Sequence, residues 1–344
     1  MERSKFVLLL SGVAVLVAAL VFLKWALISR QIPRDGFQDK QLKVLAYSTF
    51  LSSTGPAPEL VRRFKKSCQC EVEFQNAGDA GLLLERLKLT QNKSHFDLVI
   101  GLDQFYAGKA LKEWKWKEAG LSAENSARIE DFVKNPDSEK MVPFDYAPMT
   151  FIYRSKEVAH PPRSLEELLE PRFRSALSLQ DPRSSSPGLQ FLSWVERQKG
   201  AEAENYLKKL KPNIHSVSPS WALSYGLFKK EQSRFVFSYV TSLAYHLAVE
   251  KDDSFSAVSF DEGHPLQVEY AAIPEGCNQC ELATRFLNFL AGEEAQGIIA
   301  AKNFMYPVLK NFKGPAVFER LPALKTLPLE TKMPRMETWD RALE

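Results

Sequence analysis

From residue 42 onward the chain alternates short apolar runs with amphipathic stretches, the pattern of strands and helices taking turns. Residues 42–47 (LKVLAY), 71–74 and 96–101 (FDLVIG) read as strands, and 59–66 and 82–89 as the helices between them. The loop at 78–81 places Asp79 just ahead of a helix, where unpaired backbone N–H groups favour a carboxylate, as an ordinary cap or as part of a site. Residues 142–153 (VPFDYAPMTFIY) and 267–273 (QVEYAAI) are long extended runs, suited to crossing between two halves of a molecule. Ser164 and Glu167 form a capping box that predicts a helix. A strand at 177–180 leads through a serine-rich turn to a helix at 189–199, with Pro187 at the entry. A further helix is predicted at 202–210, a strand at 257–260, and helices at 282–292 and 295–301. An aromatic loop follows at 304–307, and the proline-spaced tail ends in a short helix containing Trp339.

The aromatic-rich stretch is 221–247, with Trp221, Tyr225, Tyr239 and Tyr245. Residues 235–239 (FVFSY) read as a buried strand that stops at Val240, Thr241 and Ser242 before a helix at 243–249. Strand, polar turn and helix meet where open α/β sheets hold ligands. Rings at this spacing more often belong to a hydrophobic core than to a site. Alternation of strand and helix predicts an α/β protein with mostly parallel sheets, folded as two lobes. Lobe 1 takes 42–145 plus 267–344, and lobe 2 takes 146–266.

The first thirty residues depart from this pattern. Arg3 and Lys5 precede an uncharged apolar run at 6–23, followed by Lys24 and Arg30. A basic start before an apolar core is an export signal, and this run approaches the length that spans a bilayer. Without a clear small-residue cleavage site, residues 1–30 are expected to remain as an inner-membrane anchor, with 31–41 as a linker. Whether they are removed is not readable from the sequence.

Composition narrows the function. The chain has 344 residues, 45% hydrophobic and 25% charged, and its net charge of +3 is too small and too evenly mixed to suggest nucleic acid. No H-E-x-x-H, P-loop, G-x-S-x-G or G-x-G-x-x-G motif is present. The five histidines are scattered without ligand spacing. Cys68-x-Cys70 and Cys277-x-x-Cys280 suit disulfides in an exported protein better than zinc, with the pairing left open. No catalytic residue, metal or cofactor is called for.

Several strings, in order, resemble the thiamine-binding periplasmic proteins of bacterial ABC importers. They include CQCE at 68–71, VIGLD at 99–103, VPFDY at 142–146, QDPR at 180–183 and SPGL at 186–189. Further on are SYGLF at 224–228, SY at 238–239 with TS at 241–242, AYH at 244–246, EGH at 262–264 with LQVE at 266–269, and MYPV at 305–308. The resemblance implies a type II periplasmic-binding-protein fold with ligand in the interlobe cleft. It places Asp79, Ala80, Ser185, Ser186, Trp221, Tyr239, Val240, Thr241 and Ser242 on the ligand, with Tyr245 and Phe304 beside it. Phe304 stands where the family has tryptophan, Ala80 where it has glycine, Thr54 where tryptophan and Ser48 where aspartate would be expected. The implied protein is a monomeric, non-catalytic periplasmic receptor that hands thiamine or a thiamine phosphate to a membrane permease. Which form is preferred stays open.

Two alternatives come from other chemistries. Thiamine-cleaving enzymes share this broad fold but need a nucleophilic cysteine, and neither cysteine pair falls at the ligand positions. Receptors for other cations are the second. Ferric-binding relatives use adjacent tyrosines, whereas Tyr239 is followed by Val240. Polyamine receptors need several cleft carboxylates, and the sequence offers Asp79 alone as a good candidate.

Overall fold

The computed structural model of the chain describes residues 36–90, 96–135, 137 and 139–343. The expected anchor at 1–30, residues 31–35 of the linker, and His95 lie outside the described residues. Among the described residues no helix is long and apolar enough to cross a membrane.

The strands are β1 (Gln41–Ala46), β2 (Glu71–Asn76), β3 (Leu98–Asp103), β4 (Trp116–Lys117), β5 (Val142–Arg154), β6 (Leu177–Gln180), β7 (Ile214–Ser218), β8 (Phe235–Tyr239), β9 (Phe255–Ala257), β10 (Leu266–Pro274) and β11 (Tyr306–Pro307). The main sheet runs β2-β1-β3-β10-β5-β8-β6-β7. Its two flanks are parallel, β1 with β2 and β3, and β6 with β7 and β8. These are the flanks that strand–helix alternation dictates. The centre is antiparallel: β10 pairs this way with β3 and β5, and β5 with β8.

Strand β5 joins the two flanks. Its first part, through Pro148, pairs with β10, and from Met149 to Tyr153 it pairs with β8. Proline has no N–H to give to a ladder, so Pro148 fits at the changeover between partners. Its carbonyl accepts from Val240 N at 2.9 Å, which ties the end of β8 to the crossing point. The apolar interior divides accordingly. One cluster packs Phe50, Phe64, Phe105, Phe144 and Tyr270; another packs Phe151, Phe191, Trp194, Phe237 and Phe260. The C-terminal helix Met336–Leu343 buries Trp339 and Ala342 in the second cluster.

Local expectations hold with some differences. The connection between the strand expected at 42–47 and the helix expected at 59–66 opens with a helical turn, Ser48–Leu51. The helix expected at 189–199 starts earlier and spans Ser186–Lys199, with Pro187 in its first turn. The capping box at Ser164 forms half its bonds, Glu167 N donating to Ser164 Oγ at 3.1 Å. It opens only a 3-10 turn, Glu167–Leu169, because Pro171 holds Glu170 extended at ψ 142°. The segment expected as helix at 243–249 is an α turn, Ser242–Tyr245, that widens into a π turn, His246–Glu250. The strand expected at 257–260 forms earlier, as Phe255–Ala257. The cysteines pair locally, Cys68 with Cys70 and Cys277 with Cys280.

Candidate functional site

A cleft of about 630 Å³ opens between the two flanks of the sheet. Of the residues singled out in the sequence, Asp79, Ala80, Ser186, Trp221, Tyr239, Thr241, Ser242, Tyr245 and Phe304 line it. Residues far apart in the chain meet there because strand ends and helix starts from both flanks face one another. Ser185 and Val240 do not line it. Ser185 is fully buried beside Asp79, and Val240 is 1% exposed.

Asp79 caps the short turn Ala80–Leu82, accepting from Ala80 N at 3.1 Å. Its second oxygen accepts from Trp221 N at 3.2 Å, the first amide of the helix Trp221–Lys229. The capping reading of Asp79 holds, and the same carboxylate also reaches across the cleft to a helix N-terminus. Burial raises its pKa, partly offset by Ser185 and the two amides. The two sides approach closely here. A Cβ on Gly81 would fall 2.3 Å from the Ser184 carbonyl oxygen, so only glycine fits.

The aromatic wall is held by its neighbours. Trp221 stacks on Tyr225 at 4.9 Å between centroids, and its Nε1 donates to Ser238 Oγ at 2.8 Å. The Tyr225 hydroxyl bonds His246 Nε2 at 2.7 Å, and His246 Nδ1 bonds Glu250, which also pairs with Lys229. The Tyr239 ring lies 6.3 Å from Trp221, tilted by 48°. Tyr245 meets Phe304 edge-on at 5.6 Å. Phe304 holds a φ of 51°, in the left-handed region, and its side chain lines the cleft. Thr241 and Ser242 lie at the end of β8, where Ser242 Oγ bonds Ser238 Oγ at 2.8 Å.

The floor holds residues that the sequence reading did not single out. Tyr47 and Glu269 both line the cleft, and the Tyr47 hydroxyl donates to Glu269 Oε2 at 2.6 Å. Gln267 Nε2 donates to the Tyr239 hydroxyl at 2.8 Å and to Glu269 Oε1 at 3.1 Å. Asn303 Nδ2 donates to Asp145 Oδ2 at 2.7 Å and to the Tyr47 hydroxyl at 3.0 Å. Asp79 is therefore not the sole carboxylate in the cleft, which corrects that part of the argument against polyamines. The missed signal was register: Glu269 and Asp145 each sit within an apolar strand, and an acid in such a run has to be held by something in the fold. Tyr47 is given room by Gly101, which faces its ring. A Cβ at Gly101, where φ is 105°, would lie 2.1 Å from the Tyr47 ring.

Chemically the cleft offers aromatic faces, hydroxyl and amide donors, and an acidic floor. Such a set suits a flat cation with polar substituents. Among the described residues no cluster of His, Cys, Asp and Glu has the arrangement to hold a metal ion.

Residues 93–329 match the family described as bacterial extracellular solute-binding protein. The chain is 38% identical over 285 residues to the thiamine-binding periplasmic protein of Brucella suis biovar 1 (strain 1330), covering 82% of this chain and 83% of that protein. It is 37% identical over 317 residues to the thiamine-binding periplasmic protein of Escherichia coli (strain K12), covering 89% and 94%. A solved structure of a periplasmic thiamin binding protein superposes with a TM-score of 0.80 at 34% identity, over 89% of this chain and 97% of that one.

Proposed function

Because the chain belongs to the bacterial extracellular solute-binding proteins, we propose that it is a periplasmic receptor that binds thiamine or a thiamine phosphate in this cleft and delivers it to an ABC permease. The observation that carries the reading is the joint one: relatives named for thiamine binding across most of the chain, and a cleft with aromatic walls above an acidic floor. Thiamine carries a permanent thiazolium cation and an aminopyrimidine. Trp221, Tyr239, Tyr245 and Phe304 present ring faces to the cation, each contact contributing roughly 0.5 to 2 kcal/mol. Asp79 accepts from the pyrimidine amino group with the lone pairs left over from its two amides. Ser186, Thr241 and Ser242, with the N-terminus of the helix Ser186–Lys199, take the hydroxyethyl arm or a phosphate on it. Ser185 and Val240 act from behind the wall.

The role is binding without catalysis. A thiamine-cleaving enzyme needs a thiolate nucleophile, and both cysteine pairs are closed as disulfides away from the cleft. The lobes divide as 42–145 with 267–344, and 146–266, the terminal helix reaching over to the second. Residues 1–30 tether the protein to the inner membrane; N-terminal sequencing of mature protein that begins between residues 19 and 41 would remove the tether and leave export intact.

The test is calorimetry of the purified protein with thiamine and with its mono- and diphosphate, beside mass spectrometry of small molecules released on denaturation. Thiamine or an ester should be recovered and should rebind. Free pyrimidine accumulating on incubation would instead indicate the enzyme, and binding of a polyamine but not thiamine would indicate another cation receptor.

A further inference from the structure

Three acids stand in one row across the sheet beneath the cleft. In register, Asp103 of β3 is opposite Glu269 of β10, and Glu269 is opposite Asp145 of β5. Directly opposed residues on paired strands point to the same face, and like charges so placed repel. All three are nearly or wholly buried, at 0%, 4% and 0% exposed, and Glu269 alone of the row reaches the cleft. Asp145 Oδ1 is buried with no hydrogen-bond partner, beside the Glu269 carboxyl. Two facing carboxylates have no donor to share between them, whereas a carboxyl and a carboxylate do.

We propose that Glu269 and Asp145 form a proton-sharing pair in the empty cleft, and that a bound cation displaces a proton from that pair. The inference rests on the receptor reading given above. Groups facing the pair fit it. Tyr47 and Gln267 donate to Glu269, Asn303 donates to Asp145, and the Tyr239 hydroxyl accepts from the same Gln267 amide. Asp79 and Asp103 add negative charge nearby, and Lys302 lies at the cleft margin. Burial, with the charges of Asp103 and Asp79 and against the lowering by the Tyr47 and Gln267 donors, raises Glu269 to about 7, and burial with the Glu269 charge holds Asp145 well above the usual carboxylate range. When the thiazolium enters, its charge favours the ionised pair; one carboxyl O–H gives its proton to the buffer and the cation takes its place as counter-charge. The pair thus adds, beside the ring faces, a pH-dependent share of the preference for a cation over a neutral ring of equal size.

The experiment is calorimetry with thiamine in buffers of different ionisation enthalpy, between about pH 6.5 and 8.5, above the range in which an aminopyrimidine itself titrates. Wild type should release up to about one proton per ligand near neutrality, with affinity falling by as much as about tenfold per pH unit toward the acid end. Glu269→Gln should bind more weakly at the alkaline end, release almost no proton and show a flat pH profile. In the empty protein, infrared spectra near neutral pH should show a buried carboxyl C=O band that Glu269→Gln and Asp145→Asn each alter. Binding by wild type with no proton release and no pH dependence overturns this inference and leaves the receptor reading standing. No thiamine binding at any pH overturns both.

Discussion

At the scale of single residues, Trp221 and Tyr239 should respond differently to truncation. Trp221→Ala removes a ring face and a cation contact, and should weaken thiamine binding by about 1 to 3 kcal/mol, roughly ten- to a hundred-fold by calorimetry. Tyr239→Phe keeps the ring and loses only the hydroxyl that accepts from Gln267, so the loss should be a few-fold. A neutral analogue lacking the quaternary nitrogen separates the roles: most of its penalty on wild type should vanish on Trp221→Ala if the ring reads the cation. His264 shows the opposite kind of buried group from Glu269. It is fully enclosed, accepts from Phe260 N at 3.0 Å, bonds the Met149 carbonyl, and burial lowers its pKa to about 4. A folded-state pKa below the unfolded one gives stability that is present above about pH 6.5 and lost as pH falls toward 4. Urea denaturation at about pH 5 should therefore show about 2 kcal/mol less from this residue than at about pH 8, a difference absent in His264→Asn. The aromatic candidates were legible from local strings. Glu269 and Tyr47 were not, because they meet each other across 222 residues of sequence.

At the scale of elements, the helix Cys280–Leu290 depends on a residue from the start of β3. Asp97, 1% exposed, accepts from Asn278 N at 2.8 Å and Gln279 N at 2.7 Å, while its other oxygen accepts from Lys43 N at 2.9 Å. One carboxylate thus satisfies amides ahead of a helix and an amide of β1. Asp97→Ala leaves these donors unpaired in the interior and should cost about 2 to 4 kcal/mol in urea denaturation. Gly101 sits at the other end of β3 and makes room for Tyr47. Gly101→Ala should push that ring aside, break its bond to Glu269 and lower thiamine affinity more than it lowers stability. Equal loss of both would mean that the strand itself had been disrupted. Capping signals illustrate where element-scale reading stops. Ser164 and Glu167 make one of the two bonds that their spacing implies, yet the helix lasts one turn because Pro171 ends it.

At the scale of the molecule, a cleft built between the two flanks should couple ligand to global stability. A ligand held by both sides binds the folded state only, so thiamine at about a hundred times its Kd should add about 2.7 kcal/mol and raise Tm. A scan in which thiamine saturates the protein without moving Tm would show that the site survives unfolding of one flank. The same argument makes Asp79 the residue to watch: it caps a turn on one side and accepts from Trp221 on the other. Asp79→Asn keeps the shape and loses the charge, and should reduce both affinity and the thermal shift.

Local pattern was enough to specify the alternation of strand and helix, the parallel flanks, the crossing run at 142–153 and the aromatic stretch at 221–247. These follow from periodicity and from side-chain types, which act over a few residues. The antiparallel centre, the row of Asp103, Glu269 and Asp145, the local pairing of the cysteines and the partner of each wall residue emerge only in the folded chain. Those depend on register between distant strands. A one-residue slip would turn every side chain of β10 to the other face, so no local pattern could announce which acids would meet.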